Sequence, residues 1–117
     1  MEKIVIWHNQ NCSKSREAMS ILEMNGCDKE IINYLDSKPT MKDINSILDL
    51  LSMNPRELMR TKESIYKELN LESQDDNNEL IEAMVRNPIL IERPIIVKGS
   101  KAIIGRPTSK IAEFLNS

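Results

Sequence analysis

Covalent chemistry in this chain falls to few side chains: two cysteines, Cys12 and Cys27, and a single histidine, His8. Cys12 lies in the polar run His8-Asn9-Gln10-Asn11-Cys12-Ser13-Lys14-Ser15-Arg16. A thiol attacks as its thiolate, so what matters is whether this run favours the ionised sulfur. Lys14 and Arg16 bring positive charge. His8, four residues upstream, could fold back, and a protonated imidazole near the sulfur would lower the thiol pKa further. Ser15 is placed either to donate a hydrogen bond to the sulfur or to face solvent. The polar flanks argue against the other common use of cysteine, as a small buried packing residue. Cys12 therefore reads as a reactive nucleophile.

Better-known cysteine signatures are missing. A C-x-x-C redox pair needs a second thiol where this chain has Ser15. A phosphatase-like loop needs an arginine separated from the cysteine by five residues, whereas Arg16 follows after three and position 18 is alanine. No cysteine and histidine cluster has zinc spacing, so neither a metal nor a bound cofactor is expected. Cys27 stands beyond the far end of a predicted helix of roughly 12 residues, ~18 Å long. A disulfide needs Cα atoms within about 7 Å, so Cys27 reads as a packing residue. A thiol that completes a redox cycle would come from another molecule.

These residues need elements to position them. Ile4 to Trp7 is a continuous apolar run, as in a strand covered on both faces. It is also too short for a signal peptide. A helix is predicted from Lys14 to Asn25, with Ala18, Ile21 and Leu22 on one face and Asn25-Gly26 as its stop. Ile31 to Leu35 reads as a second strand, completing a right-handed β-α-β unit. Cys12 then sits between a strand end and a helix start, where unpaired N–H groups and the positive dipole end favour anions and thiolates. The middle of the chain is helical. Pro39-Thr40 with Asp43 resembles a capping box ahead of Ile44, Ile47, Leu48 and Leu51, and Asn54-Pro55 restarts a helix. Ile65, Tyr66 and Leu69 mark a short helix, Ser73 to Asn78 a loop, and Leu80, Ile81, Met84 and Val85 another helix. Pro94 to Lys98 and Ala102 to Ile104 are strands around a Gly99-Ser100 turn, and Pro107 opens a final helix carrying Ile111, Phe114 and Leu115. The fold class is α/β, a thioredoxin-like mixed sheet. Residues 1–117 form a single domain with a helical insertion at about 40–87.

Composition narrows the functions. The hydrophobic fraction is 40% and the charged fraction 29%, ordinary for a globular chain. A net charge of −2 and 3% aromatic content give no footprint for nucleic acid. No apolar run approaches ~20 residues, so no membrane span is expected. Two cysteines make no secreted disulfide framework, which points to a cytoplasmic protein, with a monomer as the default.

The run from His8 to Arg16 resembles the H-N-x-x-C-x-x-S-R signature of the glutaredoxin-coupled arsenate reductases, the ArsC family. Glu57-Leu58-Met59-Arg60, Asn87-Pro88-Ile89-Leu90-Ile91-Glu92-Arg93-Pro94 and Ile104-Gly105-Arg106-Pro107 match further family segments in order, and Asn33-Tyr34-Leu35 resembles the family's second strand. The resemblance runs through nearly the whole chain and is strongest to short bacterial members. It implies that Cys12 attacks arsenate, that His8 helps the cysteine ionise, and that Ser15 neighbours the sulfur. It further implies that Arg60, Arg93 and Arg106 bind the oxyanion, with glutathione as co-substrate and glutaredoxin as protein partner. Pro94 corresponds to the cis-proline of thioredoxin-like folds. Planar, permanently charged guanidinium groups suit a tetrahedral oxyanion such as arsenate. Arg56, Arg86 and Lys62 read as surface charges.

Two other readings compete. Spx-type regulators share the fold and bind RNA polymerase, but they typically carry C-x-x-C and generally lack an arginine at the position of Arg106. The remaining alternative is a thiol oxidoreductase acting on another oxidised substrate, such as a glutathione adduct.

Overall fold

Ile4–Trp7 forms β1, the strand on which the rest of the sheet is organised. The computed structural model describes residues 3–116. Met1, Glu2 and Ser117, the ends of the expected single-domain span, lie outside the described residues. The chain divides into two compact units. One comprises the segments up to Ser37 and from Arg93 onward, the other Lys38–Glu92.

In the first unit β1 is followed by α1 (Ser13–Met24), β2 (Lys29–Ile32) and α2 (Tyr34–Ser37). After the second unit come β3 (Ile95–Lys98), β4 (Lys101–Ile104) and α7 (Ser109–Leu115). The strand order is β2-β1-β3-β4. β1 runs parallel to β2 and antiparallel to β3, and β3 runs antiparallel to β4. This is the expected thioredoxin-like mixed sheet. Gly99 takes the left-handed φ of +60° that the two-residue β3–β4 turn requires. On one face Ile4 and Ile6, two residues apart on β1, meet Ala18 and Leu22 of α1 and Ile111 and Phe114 of α7 in a buried cluster. The spacing of each set matches its element, period two for the strand and three to four for the helices. Trp7 stacks on Tyr34 with ring centroids 6.1 Å apart.

Among the boundaries that differ from the sequence expectation, two follow from identifiable partners. The second strand is Lys29–Ile32, not Ile31 to Leu35. Pairing with the four residues of β1 sets its length, from Ile4 opposite Lys29 to Trp7 opposite Ile32. The Asn33 carbonyl then accepts from the N–H groups of Asp36 and Ser37, so Tyr34 and Leu35 become helical. At the other end Pro107 does not open the final helix. Its carbonyl accepts the Lys110 N–H in a turn, Thr108 is the N-cap, and α7 begins at Ser109.

The second unit holds α3 (Met41–Leu51), α4 (Pro55–Leu58), α5 (Ser64–Glu68) and α6 (Asn77–Arg86), with short 3-10 turns at Leu71–Ser73 and Pro88–Leu90. Thr40 and Asp43 form the expected capping box. A second box joins Asn54 to Glu57, which had no assigned role in the sequence. Met59 bridges Ile91 in antiparallel fashion, with Arg60 N–H donating to the Leu90 carbonyl at 2.7 Å and Glu92 N–H to that of Leu58 at 2.8 Å.

Candidate active site

Strand register gathers the candidate residues of the first unit. Trp7 pairs with Ile95, and Ile95 with Ile104. One step beyond this row lie the loop that starts at His8, the Arg93-Pro94 pair ahead of β3, and Gly105-Arg106 after β4. Both Arg93–Pro94 and Arg106–Pro107 are cis peptides, the second with no forewarning in the sequence reading. The Gly105 N–H donates to the Pro94 carbonyl at 2.8 Å. A Cβ at Gly105 would lie 3.1 Å from both Pro94 Cγ and Ile111 Cδ1, so the absence of a side chain permits this approach.

Cys12 is the N-cap residue of α1, with extended backbone geometry (φ −101°, ψ 122°), and is buried. Arg106 Nη2 donates to Cys12 Sγ at 3.3 Å, and Arg106 Nε donates to the Arg93 carbonyl at 2.6 Å. The Arg93 guanidinium, itself buried, also hydrogen-bonds the sulfur. Burial, the largest single influence, pushes the thiol pKa up. The Ser15 backbone N–H, the Arg93 hydrogen bond, the Lys14 backbone N–H and the Arg93 charge act against it, and the net result is a pKa below the ordinary thiol value. The sulfur thus sits at the start of a helix, where the amides of the first turn favour its ionised form.

Ser15 follows neither route left open by the sequence. Its hydroxyl is buried, lies 2.6 Å from His8 Nδ1, and accepts the Asn9 N–H at 3.0 Å. Only its backbone acts on the sulfur. The expectation of a protonated imidazole is corrected. His8 is buried, and burial first, then the Arg16 charge, lower its pKa, which disfavours the imidazolium. The nearby cations are engaged elsewhere: Lys14 pairs with Glu17 at 3.5 Å, and Arg16 Nη1 donates to the Gln10 carbonyl at 3.1 Å. The positive charge that faces the sulfur comes instead from the distant Arg93 and Arg106.

Arg60 belongs to the second unit. Its Nε lies 3.1 Å from Glu63 Oε1 and its Nη1 2.8 Å from Glu92 Oε1. The antiparallel bridge at Met59 and Ile91 sets Arg60 beside Glu92. Arg56, read from sequence as a surface charge, is partly buried and donates to the Tyr66 hydroxyl and to the carbonyls of Leu71 and Gln74. Arg86 and Lys62 are exposed or pair only at the surface, Arg86 with Glu82 one helical turn away. Cys27 packs against the cluster beneath α1, and both cysteines are free thiols. With Cys12 and Cys27 at opposite ends of the 12-residue α1, the helix keeps them apart. Among the described residues no group of three or more His, Cys, Asp and Glu side chains could hold a metal ion, and no helix is long and apolar enough to cross a membrane.

Sequence reasoning counted Asn9, Gly105 and Glu92 within the matched family segments but gave none of them a role of its own. Asn9 carried a readable signal, since asparagine favours the first position of a turn. What the other two do is visible only through their spatial neighbours.

Known proteins resemble this chain over nearly its whole length. The Escherichia coli protein YfgD, itself uncharacterised, is 46% identical over 116 residues, covering 97% of this chain and 98% of its own. A Neisseria meningitidis protein named arsenate reductase is 41% identical over 117 residues, covering 98% of this chain and 100% of its own. A solved structure described as an arsenate reductase from Vibrio cholerae superposes with a TM-score of 0.92 at 42% identity, covering 96% of this chain and 97% of that one. The ArsC family model matches residues 7–114, and the chain belongs to the ArsC family.

Proposed function

We propose that this protein reduces arsenate to arsenite, with Cys12 as the nucleophile and glutathione and a glutaredoxin as the source of electrons. The observation that carries the reading is the Arg106 Nη2 to Cys12 Sγ approach of 3.3 Å, which sets a guanidinium against a thiol of lowered pKa. Relatives named arsenate reductase support the choice of substrate.

In the first step the Cys12 thiolate attacks arsenic(V). A sulfur–arsenic bond forms, and one arsenate oxygen takes up protons and leaves as water. Arg93 and Arg106 offset the charge on the remaining oxygens, and one well-placed donor of this kind is worth roughly 3 kcal/mol. Ser15 and His8 hold the loop that presents the sulfur. A glutathione thiolate then attacks the Cys12 sulfur, a disulfide forms, and the electron pair of the sulfur–arsenic bond stays on arsenic, which leaves as arsenite. The glutaredoxin reduces the Cys12–glutathione disulfide and restores the thiol. With C-x-x-C absent and Cys27 across the helix, the chain has no resolving thiol of its own, so an external one fits. Such thiol chemistry suits a reducing, cytoplasmic setting.

The test is arsenite formation by purified protein given arsenate and glutathione, with and without a glutaredoxin. Turnover is expected only with both reductants and is expected to vanish in Cys12→Ser. Full turnover by that variant, or none by the intact protein, rules the mechanism out.

A further inference from the structure

We propose that Asn9 is a positioning residue for the Cys12 thiolate, through a turn in which its side chain and both of its backbone polar groups are hydrogen-bonded across residues 9–15. The Asn9 carbonyl accepts the Cys12 N–H at 3.0 Å, closing a four-residue turn. Within that turn Asn9 Oδ1 accepts the Asn11 N–H at 3.0 Å. The Asn9 N–H donates at 3.0 Å to the hydroxyl of Ser15, in the first turn of α1. The residue is buried although polar, as expected when its groups are occupied within the protein.

The consequence is mechanical. Cys12 must be the N-cap residue for its sulfur to meet the Ser15 and Lys14 amides, and the 9–12 turn brings the chain from β1 to that point. In a capping box the side chain three residues into the helix bonds back to the N-cap N–H. Here the Ser15 hydroxyl reaches back instead to Asn9, and Asn9 in turn holds the Cys12 N–H. The reciprocal closure is therefore moved three residues upstream, which leaves the N-cap position to a sulfur. Without the Oδ1 acceptor the Asn11 N–H loses its partner and residues 10–12 gain freedom, while the two backbone bonds of Asn9 keep the turn formed. The sulfur then spends less time at the helix amides and guanidinium groups.

This inference rests on Cys12 being the nucleophile, but its test needs no arsenate. The measurement is the pH dependence of Cys12 alkylation by iodoacetamide in a Cys27→Ala background. In Asn9→Ala the alkylation rate at pH 7 is expected to fall about fivefold, the size of one net hydrogen bond, and the midpoint to rise. The charged and titratable groups about the loop, His8, Lys14, Arg16, Arg93 and Arg106, with Asp36 facing it from α2, all remain in this variant. Asn9→Ser keeps a short side-chain oxygen able to bond two residues on, and is expected to return the midpoint most of the way. A folded Asn9→Ala protein whose midpoint equals that of its parent overturns the proposal. So does a lowered Tm with no shift in midpoint, which would make Asn9 structural only. Should Asn9→Ala fail to fold, Asn9→Gly removes the same acceptor from a turn that glycine tolerates, and an unshifted midpoint there counts equally against it. Failed arsenate turnover alongside the expected alkylation shifts would remove the substrate assignment and leave this inference standing.

Discussion

Arg106 reaches Cys12 across 94 positions of sequence, with Nη2 3.3 Å from Sγ, and is fixed there by its own Nε, which donates to the Arg93 carbonyl at 2.6 Å. One planar group thus ties the sulfur to the segment that precedes β3. The fixed fork of a guanidinium makes this double engagement possible, which a lysine ammonium could not reproduce.

Arg106→Ala is therefore expected to raise the alkylation midpoint of Cys12 and to slow its alkylation at pH 7 by about tenfold, the size of one hydrogen bond to a charged group. Arg106→Lys should recover only part of this. Iodoacetamide kinetics across pH 5–10 check both variants, and an unchanged Arg106→Ala profile would show that the contact does not govern the thiol.

The lowered pKa of His8 has its own consequence. Its folded pKa is lowered, so the unfolded chain takes up a proton on this ring more readily than the folded one. The stability that follows is present above the unfolded value of ~6.5 and is lost as pH falls from there through the folded value. The lowered pKa of Cys12 acts with the same sign at higher pH: its contribution is full above the ordinary thiol range and fades as pH falls through the folded value. An NMR titration of the His8 ring should give a midpoint below ~6.5. In His8→Ala the fall of urea-measured stability between pH 6.5 and 5 should be shallower. A His8 midpoint above 6.5 would restore the imidazolium and contradict this description.

Gly105→Ala places a Cβ 3.1 Å from the rigid Pro94 ring and from Ile111 Cδ1. Ile111 can yield by a rotamer change, whereas Pro94 cannot, so the segment carrying Arg106 must shift. A loss of ~1–3 kcal/mol in stability is expected from the overpacking, together with a raised thiol midpoint. Denaturant unfolding and alkylation on the same sample separate the two effects. A stability loss with no change at the thiol would mean that the strand end absorbs the strain without moving Arg106.

In the second unit, Arg56→Ala removes the donor to the Tyr66 hydroxyl and to the Leu71 and Gln74 carbonyls. Leaving such acceptors unmatched costs ~1–3 kcal/mol. A thermal melt checks this, and a Tm within a degree of the intact protein would return Arg56 to the surface role that its sequence context suggests.

Arg60→Ala tests the role that the family resemblance implies for an arginine now paired with Glu63 and Glu92. If Arg60 binds the oxyanion, KM for arsenate should rise at least tenfold, with little change in the Cys12 alkylation midpoint. An unchanged KM would confine Arg60 to its ion pairs.

Much of this molecule was legible along the chain because its local signals agree. The apolar run of β1, the helical spacing of Ala18 and Leu22, the Thr40–Asp43 box and the Gly99-Ser100 turn each depend on neighbours a few residues away, and each formed as read. The placement of Cys12 at a strand-to-helix junction was of the same kind, and with it the availability of helix amides. Where the reading slipped, a distant partner decided. β2 ends at Ile32 because β1 is four residues long, and Arg56 is drawn inward by acceptors up to 18 residues away.

The sequence by itself determined the order of the strands and the helical block between them, the solitary sulfur at the start of a helix and the lack of a second thiol within reach. Only the tertiary structure decided which charges act on that sulfur. Lys14 and Arg16 follow Cys12 within four residues yet bond to Glu17 and to the Gln10 carbonyl, whereas Arg93 and Arg106 are remote in sequence yet reach the thiol. The reason is that a side chain's partner is set by the register of paired strands and by competition among buried donors and acceptors, and spacing along one segment encodes neither.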